Sequence, residues 1–366
     1  MKKFIIKSSF GSYEVIESKI SRSFFLKYSE NVFYLVDRNV YLKSKVLNKI
    51  KKNIILIKSD ENSKNYLKIS NIIKKILEKK IRRDSVIFAI GGGVVQDISG
   101  FIASILFRGI KWNFIPTTIL AQCDSCIGGK TSINFNKYKN LLGNFYPPQK
   151  IFLDSNLLDT LKIHDIKSGL GEMSHYYLVS SFKDWKFFKK NLSNLVQKNF
   201  NKNIMKLLIF KSLQIKKRFI EKDEFDKGPR LILNYGHTFG HAIEKITNYT
   251  VPHGMAVAHG INMSNFFSLH YKTINKSMFK EVESQMSKIV DLSKLRKINA
   301  AHFLKIVKKD KKSKKNQIRL ILTKGFGKMF IKNIDKDIKF IFLMKKYLHY
   351  IENLKKTNLQ IRGRIE

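Results

Sequence analysis

Residues 85–93 read SVIFAIGGG, an apolar run from Val86 to Ile90 that stops at Gly91-Gly92-Gly93. So short a run, with almost nothing polar in it, suits a strand buried on both faces, and the glycines let the backbone turn where it ends. A helix starting near Val95 would then point its amide dipoles at an anion lying over the glycines. NVFYLVD (31–37), NIILIKS (53–59) and IKWNFIPTT (110–118) read as further strands, and NYLKISNIIKKILEKK (65–80) has helical apolar spacing. This alternation predicts an α/β domain over residues 1–160, of the Rossmann-like, nucleotide-binding kind if a phosphate lies over the glycines. Beyond about residue 160 strand-like runs become scarce, and stretches such as KSGLGEMSHYYLVSS and HGMAVAHGINMSNFFSLHY carry helical periodicity. Residues 161–366 are predicted to form a mainly α-helical second domain. Its only clear strand is QIRLILT (317–323), and NLKKTNLQIRGRIE reads as a frayed tail.

The chain is long enough, at 366 residues, for two domains with a core each, and 43% hydrophobic residues exclude a disordered chain. No apolar run approaches the roughly 20 residues of a membrane helix. The start, MKKFIIKSSFGSYE, has only Phe4 to Ile6 as an apolar patch, too brief for a secretory signal, so a cytoplasmic location is expected. Seventy Lys and Arg against 28 Asp and Glu give a net charge of +42. That charge predicts salt-sensitive association with polyanions and favours a negatively charged substrate. A lysine-rich nucleic-acid binder is the non-enzyme alternative. The lysines, however, run along the whole length among Ile and Asn, and KKDKKSKK (308–315) reads as a solvated face; no specific nucleic-acid partner is expected. Cys123 and Cys126 form a lone C-D-S-C with no second pair to complete a four-thiolate site, so two half-buried reduced thiols are the favoured reading.

Several stretches carry candidate chemistry. The triple glycine departs from G-x-G-x-x-G, so a structural turn explains it as well as a phosphate cradle does. Asp37, at a strand end, could take ribose hydroxyls or simply begin a turn. PTTILAQCDSCIGGKTSIN (116–134) packs threonines, an aspartate, a Gly-Gly pair and Lys130 together, and Lys139 and Asn140 follow; such residues suit a phosphorylated or carboxylated ligand. In the helical half, Glu172 lies in GLGEMSHYY, His237 and His241 in NYGHTFGH, and His253 in VPHGMAVAHG. A carboxylate with two imidazoles is a usual catalytic zinc set. His237 and His241, four apart, share a helix face and invite joint ligation as in H-E-x-x-H, but Thr238 stands where that motif needs glutamate. Spacing alone leaves the ligand set open.

Together these residues resemble the 3-dehydroquinate synthase family of sugar-phosphate cyclases. The likeness runs through GGGVVQDISGF, FRGIKWNFIPTTILAQCDSCIGGKTSIN, KNLLGNFYPP, SGLGEMSHY, KGPRLILNYGHTFGHAIE, VPHGMAVAHG and KDKKSKKNQIRLIL, in order, over roughly residues 30 to 330. It implies that Glu172, His237 and His253 hold Zn2+ or another divalent metal such as Co2+, while His241 faces the substrate. It implies NAD against Asp37, Glu61, Lys64, Gly92, Gly93, Val94, Asp97, Thr117, Thr118, Lys130, Lys139, Leu157 and Thr160. The implied substrate-facing set is Asp124, Lys130, Asn140, Lys216, Arg230, Asn234 and His241, with His175 and one or both of Lys311 and Lys312. Arg108, in FRG, would reach the neighbouring subunit's site, which implies a homodimer.

The chemistry implied by the resemblance turns 3-deoxy-D-arabino-heptulosonate 7-phosphate into 3-dehydroquinate and phosphate. A hydroxyl is oxidised by NAD, phosphate leaves by elimination, the hydride returns, and an aldol step closes the ring, so NAD is not consumed. Lys130, Lys216 and Arg230 would bind the carboxylate; Asn140, Asn234 and His241 would hold the phosphate. Two positions depart from the family pattern. His175 stands where a lysine is usual, and Gln96 replaces a glycine of GGGVVGD. A sister cyclase acting on a sedoheptulose-type phosphate is therefore an alternative, followed by a metal-dependent polyol dehydrogenase.

Overall fold

The computed structural model describes residues 2–28, 31–50, 52–136, 138–290, 300–308 and 317–362. The chain divides into two compact units, Met1–Lys162 with Asn201–Pro229, and Ile163–Phe200 with Arg230–Glu366. The expected single division near residue 160 thus differs from the observed one by the segment 201–229, which belongs with the first unit. Its helical periodicity had suggested the second.

The first unit is built on a seven-stranded sheet in the order β1 (Lys3–Ile6), β2 (Tyr13–Glu17), β9 (Lys150–Leu153), β6 (Lys111–Pro116), β5 (Val86–Gly91), β3 (Val32–Asp37), β4 (Ile54–Ile57). Only the β1–β2 pair is antiparallel. Every residue of β3 is buried, as a parallel strand covered on both faces requires. Helices α1 (Arg22–Leu26), α2 (Arg38–Lys43), α3 (Tyr66–Glu78) and α4 (Gly93–Ile105) connect these strands, and α7 (Lys202–Ile220) completes the unit. A small hairpin, β7 (Ile133–Phe135) with β8 (Tyr138–Leu142), carries Lys139 and Asn140. Over one face Phe24, Phe88 and Phe152 pack edge-on and stacked, with centroids 4.9 Å apart for Phe24–Phe152 and 6.1 Å for Phe88–Phe152. These rings join Val36, Ile90 and Ile115 in a core immediately beneath the strand ends that carry Asp37 and the glycines.

The second unit contains α5 (Ile163–Ser180), α6 (Phe182–Leu195), α8 (His237–Ile246), α9 (His253–His270), α10 (Lys276–Ile289), α11 (Ala300–Lys308) and α12 (Ile338–Arg362). Fifteen of the residues of α9, from Gly254 to Ser268, are buried, so this helix is the unit's axis. QIRLILT forms β10 (Gln317–Thr323), but it is not alone: β11 (Met329–Asp335) pairs with it antiparallel. The stretch expected to fray instead continues α12 as far as Arg362. Among the described residues no helix is long and apolar enough to cross a membrane.

Candidate functional site

The second unit brings Glu172, His237 and His253 together from three helices. Glu172 Oε1 lies 3.3 Å from His237 Nε2, and Glu172 Oε2 lies 3.4 Å from His253 Nε2. One ligand atom from each falls within 4.8 Å of the other two, as a shared cation needs. Backbone contact makes this proximity possible. A Cβ on Gly254 would stand 1.8 Å from Ser168 O and 2.8 Å from Glu172 N, so the start of α9 rests directly on the main chain of α5. Gly236, at φ +83°, likewise presses the start of α8 onto α9, where a Cβ would be 2.8 Å from Val257 O. Each imidazole therefore follows or precedes a glycine that lets two helices touch.

Glu172 is 2% exposed. Burial opposes its ionisation, but the His237 and His253 rings overcome that and hold the carboxyl well below the usual carboxylate range. Burial also disfavours a charged His253 ring, yet hydrogen bonds to Glu172 and Glu244 raise it well above the ordinary imidazole range. The carboxylate–imidazole donor set, closely spaced around a buried carboxylate, fits a divalent metal. Glu244 accepts from the far side of His253, Nδ1 to Oε2 3.0 Å, the arrangement that turns Nε2 toward an ion. Nothing in the sequence had singled out Glu244; its place one turn beyond His241 on α8 was the available signal.

The i,i+4 pair is divided, though not cleanly. His237 joins Glu172; His241 is exposed, and with Glu244 and His253 it forms a second group capable of holding a cation. His241, Asn234, Thr238 and Arg319 line a small cleft beside His237. Thr238, standing where H-E-x-x-H has its glutamate, donates its hydroxyl to Arg319 O at 3.1 Å. Arg230 is buried at the start of the turn leading to Asn234. His175 is only 1% exposed; its Nδ1 is 3.7 Å from Glu172 Oε1 and its ring packs 3.9 Å from Tyr176 and 5.3 Å from His237. It is placed against the carboxylate of the metal group rather than on an open surface. Lys311 and Lys312 lie outside the described residues.

In the first unit, Gly92 is extended and precedes α4, which starts at Gly93, two residues before the expected Val95. A Cβ on Gly93 would meet nothing nearer than Ser125 Oγ at 4.0 Å, so the helix start and Val94 border open room, as a bound pyrophosphate needs. Asp37 caps α2, its Oδ1 accepting from Asn39 N at 2.8 Å, and its Cβ is 3.2 Å from where a Gly91 Cβ would be. Thr117 is buried with its hydroxyl unpartnered among the described residues, while Thr118 Oγ1 accepts from Ala121 N. Leu157 packs on the core beside these strand ends, and Thr160 is exposed.

The E-x-x-K pair enters a polar network. Buried Lys64 Nζ lies 2.7 Å from Asp97 Oδ2 and donates to Asn140 Oδ1 at 2.8 Å, while Ser132 N and Oγ both donate to Asp97. Glu61 Oε1 accepts from Asn134 Nδ2 at 2.9 Å and faces Lys139 at 3.6 Å. Asn140 thus belongs to the same cluster as the residues expected on the nucleotide. Lys216 on α7 donates to both Asp124 O (2.8 Å) and Asp124 Oδ1 (2.6 Å). Lys130 pairs with Asp226. Arg108 is exposed in a turn where Phe107 and Arg108 both have positive φ, 49° and 65°. Cys123 and Cys126 are fully buried, beyond the expected half-burial, and burial pushes the Cys126 thiol up, so neither is poised as a reactive thiolate.

A parallel α/β unit with a glycine-led helix and a helical unit with a carboxylate–imidazole cluster are features shared by cyclases and dehydrogenases alike. The sequence decides between them. The profile of the 3-dehydroquinate synthase N-terminal region matches residues 54–168, and that of its C-terminal region matches residues 169–313. The chain belongs to the 3-dehydroquinate synthase family. It is 38% identical to the 3-dehydroquinate synthase of Dictyoglomus turgidum over 280 residues, 76% of this chain and 78% of that one. It is 35% identical to that of Endomicrobium trichonymphae over 347 residues, 90% and 94% of the two chains. Among solved structures, 2-deoxy-scyllo-inosose synthase complexed with carbaglucose-6-phosphate, NAD+ and Co2+ matches with a TM-score of 0.82 at 21% identity, covering 95% of this chain and 99% of that one. Glycerol dehydrogenase from Schizosaccharomyces pombe matches at 0.65 and 15% identity, covering 94% and 91%. These two likenesses establish the fold.

Proposed function

We propose that this chain is a phosphate-eliminating cyclase that converts 3-deoxy-D-arabino-heptulosonate 7-phosphate into 3-dehydroquinate, using catalytic NAD and a divalent metal. The observation that carries this reading is the Glu172–His237–His253 cluster around a buried carboxylate, within a chain 35–39% identical to enzymes of that name. The metal would acidify a substrate hydroxyl, and the nucleotide would accept and return a hydride. All else falls to the protein. Glu172, His237 and His253 hold the ion, Glu244 fixes the tautomer of His253, and the half-buried start of α4 receives the pyrophosphate. Lys216 donates to Asp124 O and Asp124 Oδ1, and the third N–H of its ammonium would serve a carboxylate. Arg230 and Lys130 add positive charge for the same group, and Asn140, Asn234 and His241 serve the phosphate. The abundance of lysine favours capture of a substrate that carries both a carboxylate and a phosphate.

The exposed Arg108, on its left-handed turn, would serve the site of a second copy in a homodimer. The deciding experiment offers purified enzyme the heptulosonate phosphate or sedoheptulose 7-phosphate with NAD and Zn2+, following phosphate release and dehydroquinate. Turnover of the heptulosonate is expected; turnover of sedoheptulose 7-phosphate alone would assign the chain to a sister cyclase.

Two substitutions have sharply defined expected effects. Gly93→Ala should fold normally, because its Cβ has room, yet weaken NAD binding about tenfold or more by filling the space at the helix start; isothermal titration with NAD measures this. Glu244→Gln should weaken Zn2+ binding by roughly 10- to 100-fold, read by competition with a chromophoric chelator, because the partner that fixes the His253 tautomer is lost.

A further inference from the structure

Gln96 is 5% exposed, and both ends of its amide are spent on a single residue. Its Nε2 donates to Ser125 O at 2.5 Å, and its Oε1 accepts from Ser125 Oγ at 2.6 Å. Ser125 closes a π-helical turn, Ala121–Ser125, in which Cys126 N donates to Ala121 O at 3.1 Å. A π turn closes by i→i−5 bonds, a rare arrangement that is frequent at functional sites. The neighbouring residue in that turn is Asp124, whose main-chain and side-chain oxygens both receive Lys216 Nζ. One unbroken line of hydrogen bonds and covalent links therefore joins α4 to Lys216 through Gln96, Ser125 and Asp124. Glycine at position 96 could supply none of it.

We propose that Gln96 is a positioning residue for substrate: by clamping Ser125 it fixes the Asp124 oxygens, and through them the direction in which Lys216 presents its remaining N–H to the substrate carboxylate. The inference rests on the proposed role of Lys216. Gln96 itself touches no reacting atom. Its effect should fall on binding of the sugar acid phosphate and not on the nucleotide.

The test compares Gln96→Met, which keeps length and burial, Gln96→Glu, which keeps the acceptor but cannot donate to Ser125 O, and Ser125→Ala. Steady-state kinetics with the heptulosonate phosphate, NAD titration and thermal unfolding are measured for each. Gln96→Met is expected to raise KM about tenfold, the equivalent of losing two ordinary hydrogen bonds, with kcat and NAD affinity within about twofold of the parent. Ser125→Ala, which keeps the bond to the main-chain oxygen, should fall between Met and the parent, and Gln96→Glu, which sets a buried carboxylate oxygen against Ser125 O, should raise KM at least as much as Met. Ser125 Oγ is also the nearest atom to the space at Gly93, so loss of NAD affinity with unchanged KM would overturn the proposal and place Gln96 in the nucleotide site. Unchanged KM and unchanged NAD affinity, with only a lowered Tm, would overturn it as well and leave a structural role. Lys216→Ala separates the two levels. If it raises KM while Gln96→Met does not, the clamp is wrong; if it leaves KM unchanged, the assignment of Lys216 is wrong.

Discussion

Replacing Glu172 with glutamine is expected to abolish stoichiometric Zn2+ binding and to lower turnover by about a thousandfold or more. The carboxylate lies between the two imidazoles, with 3.3 and 3.4 Å contacts to them, and an amide of the same shape neither neutralises a dication nor replaces a charged oxygen ligand. Metal content by mass spectrometry and the rate of phosphate release measure the two effects separately. In the metal-free parent, Glu172 and Glu244 keep His253 protonated, so ion binding must displace a proton, and affinity should fall as pH is lowered. Retention of one tightly held zinc by Glu172→Gln, with activity, would remove the basis for the proposed metal centre. The second cation-capable group, His241–Glu244–His253, would then be the place to look.

A methyl group at Gly254 should cost more in stability than any loss of a side-chain contact near the site. The added Cβ would stand 1.8 Å from Ser168 O and 2.8 Å from Glu172 N, both main-chain atoms that no rotamer change can move. Overpacking in a core typically costs about 1–3 kcal/mol when side chains can yield. Here two helices must separate, so about 3 kcal/mol or more is expected, together with loss of metal affinity because Glu172 sits at the contact. Urea unfolding of Gly254→Ala checks the first part, and zinc titration below the transition checks the second. Gly93→Ala is the control: a glycine on the other unit, expected to lose ligand affinity without losing stability.

Strands β3, β5 and β6 were legible in the sequence because both their faces are buried; β4, at the sheet edge with Leu56 exposed, was legible because all four of its residues are aliphatic. VFYLVD, IILI, VIFAIG and KWNFIP are short apolar blocks, and each begins within one residue of its expected start. The strands that sequence reading passed over are of another kind. The exposed side of β1, the alternating YEVIE of β2 and the four residues of β9 give too little pattern to register, and β11 is recognisable only as the half-buried partner of β10. In the site, the chemical residue types and the family motifs pointed to Glu172, His237 and His253, and geometry brings these three together. Motifs could not show that Glu244 backs His253, that Gln96 grips Ser125, or that His175 is turned against Glu172. The first two depend on which elements meet and on which face, and for Glu244 and His253 the main-chain approach at Gly236 and Gly254 decides it; His175, three residues beyond Glu172 on α5, was within reach of it by helix spacing alone.

The first unit is discontinuous: the chain leaves it at Lys162, returns at Asn201 and departs again after Pro229. A ribosome therefore emits Asp124 long before Lys216, the cation that reaches its main-chain oxygen and its Oδ1, and this ion pair forms only once α7 has joined the sheet. Thirty-eight residues of the other unit, Ile163–Phe200, are synthesised in the interval. Neither half can be finished before the other has begun, so this enzyme cannot be cut into two autonomous pieces at a single peptide bond.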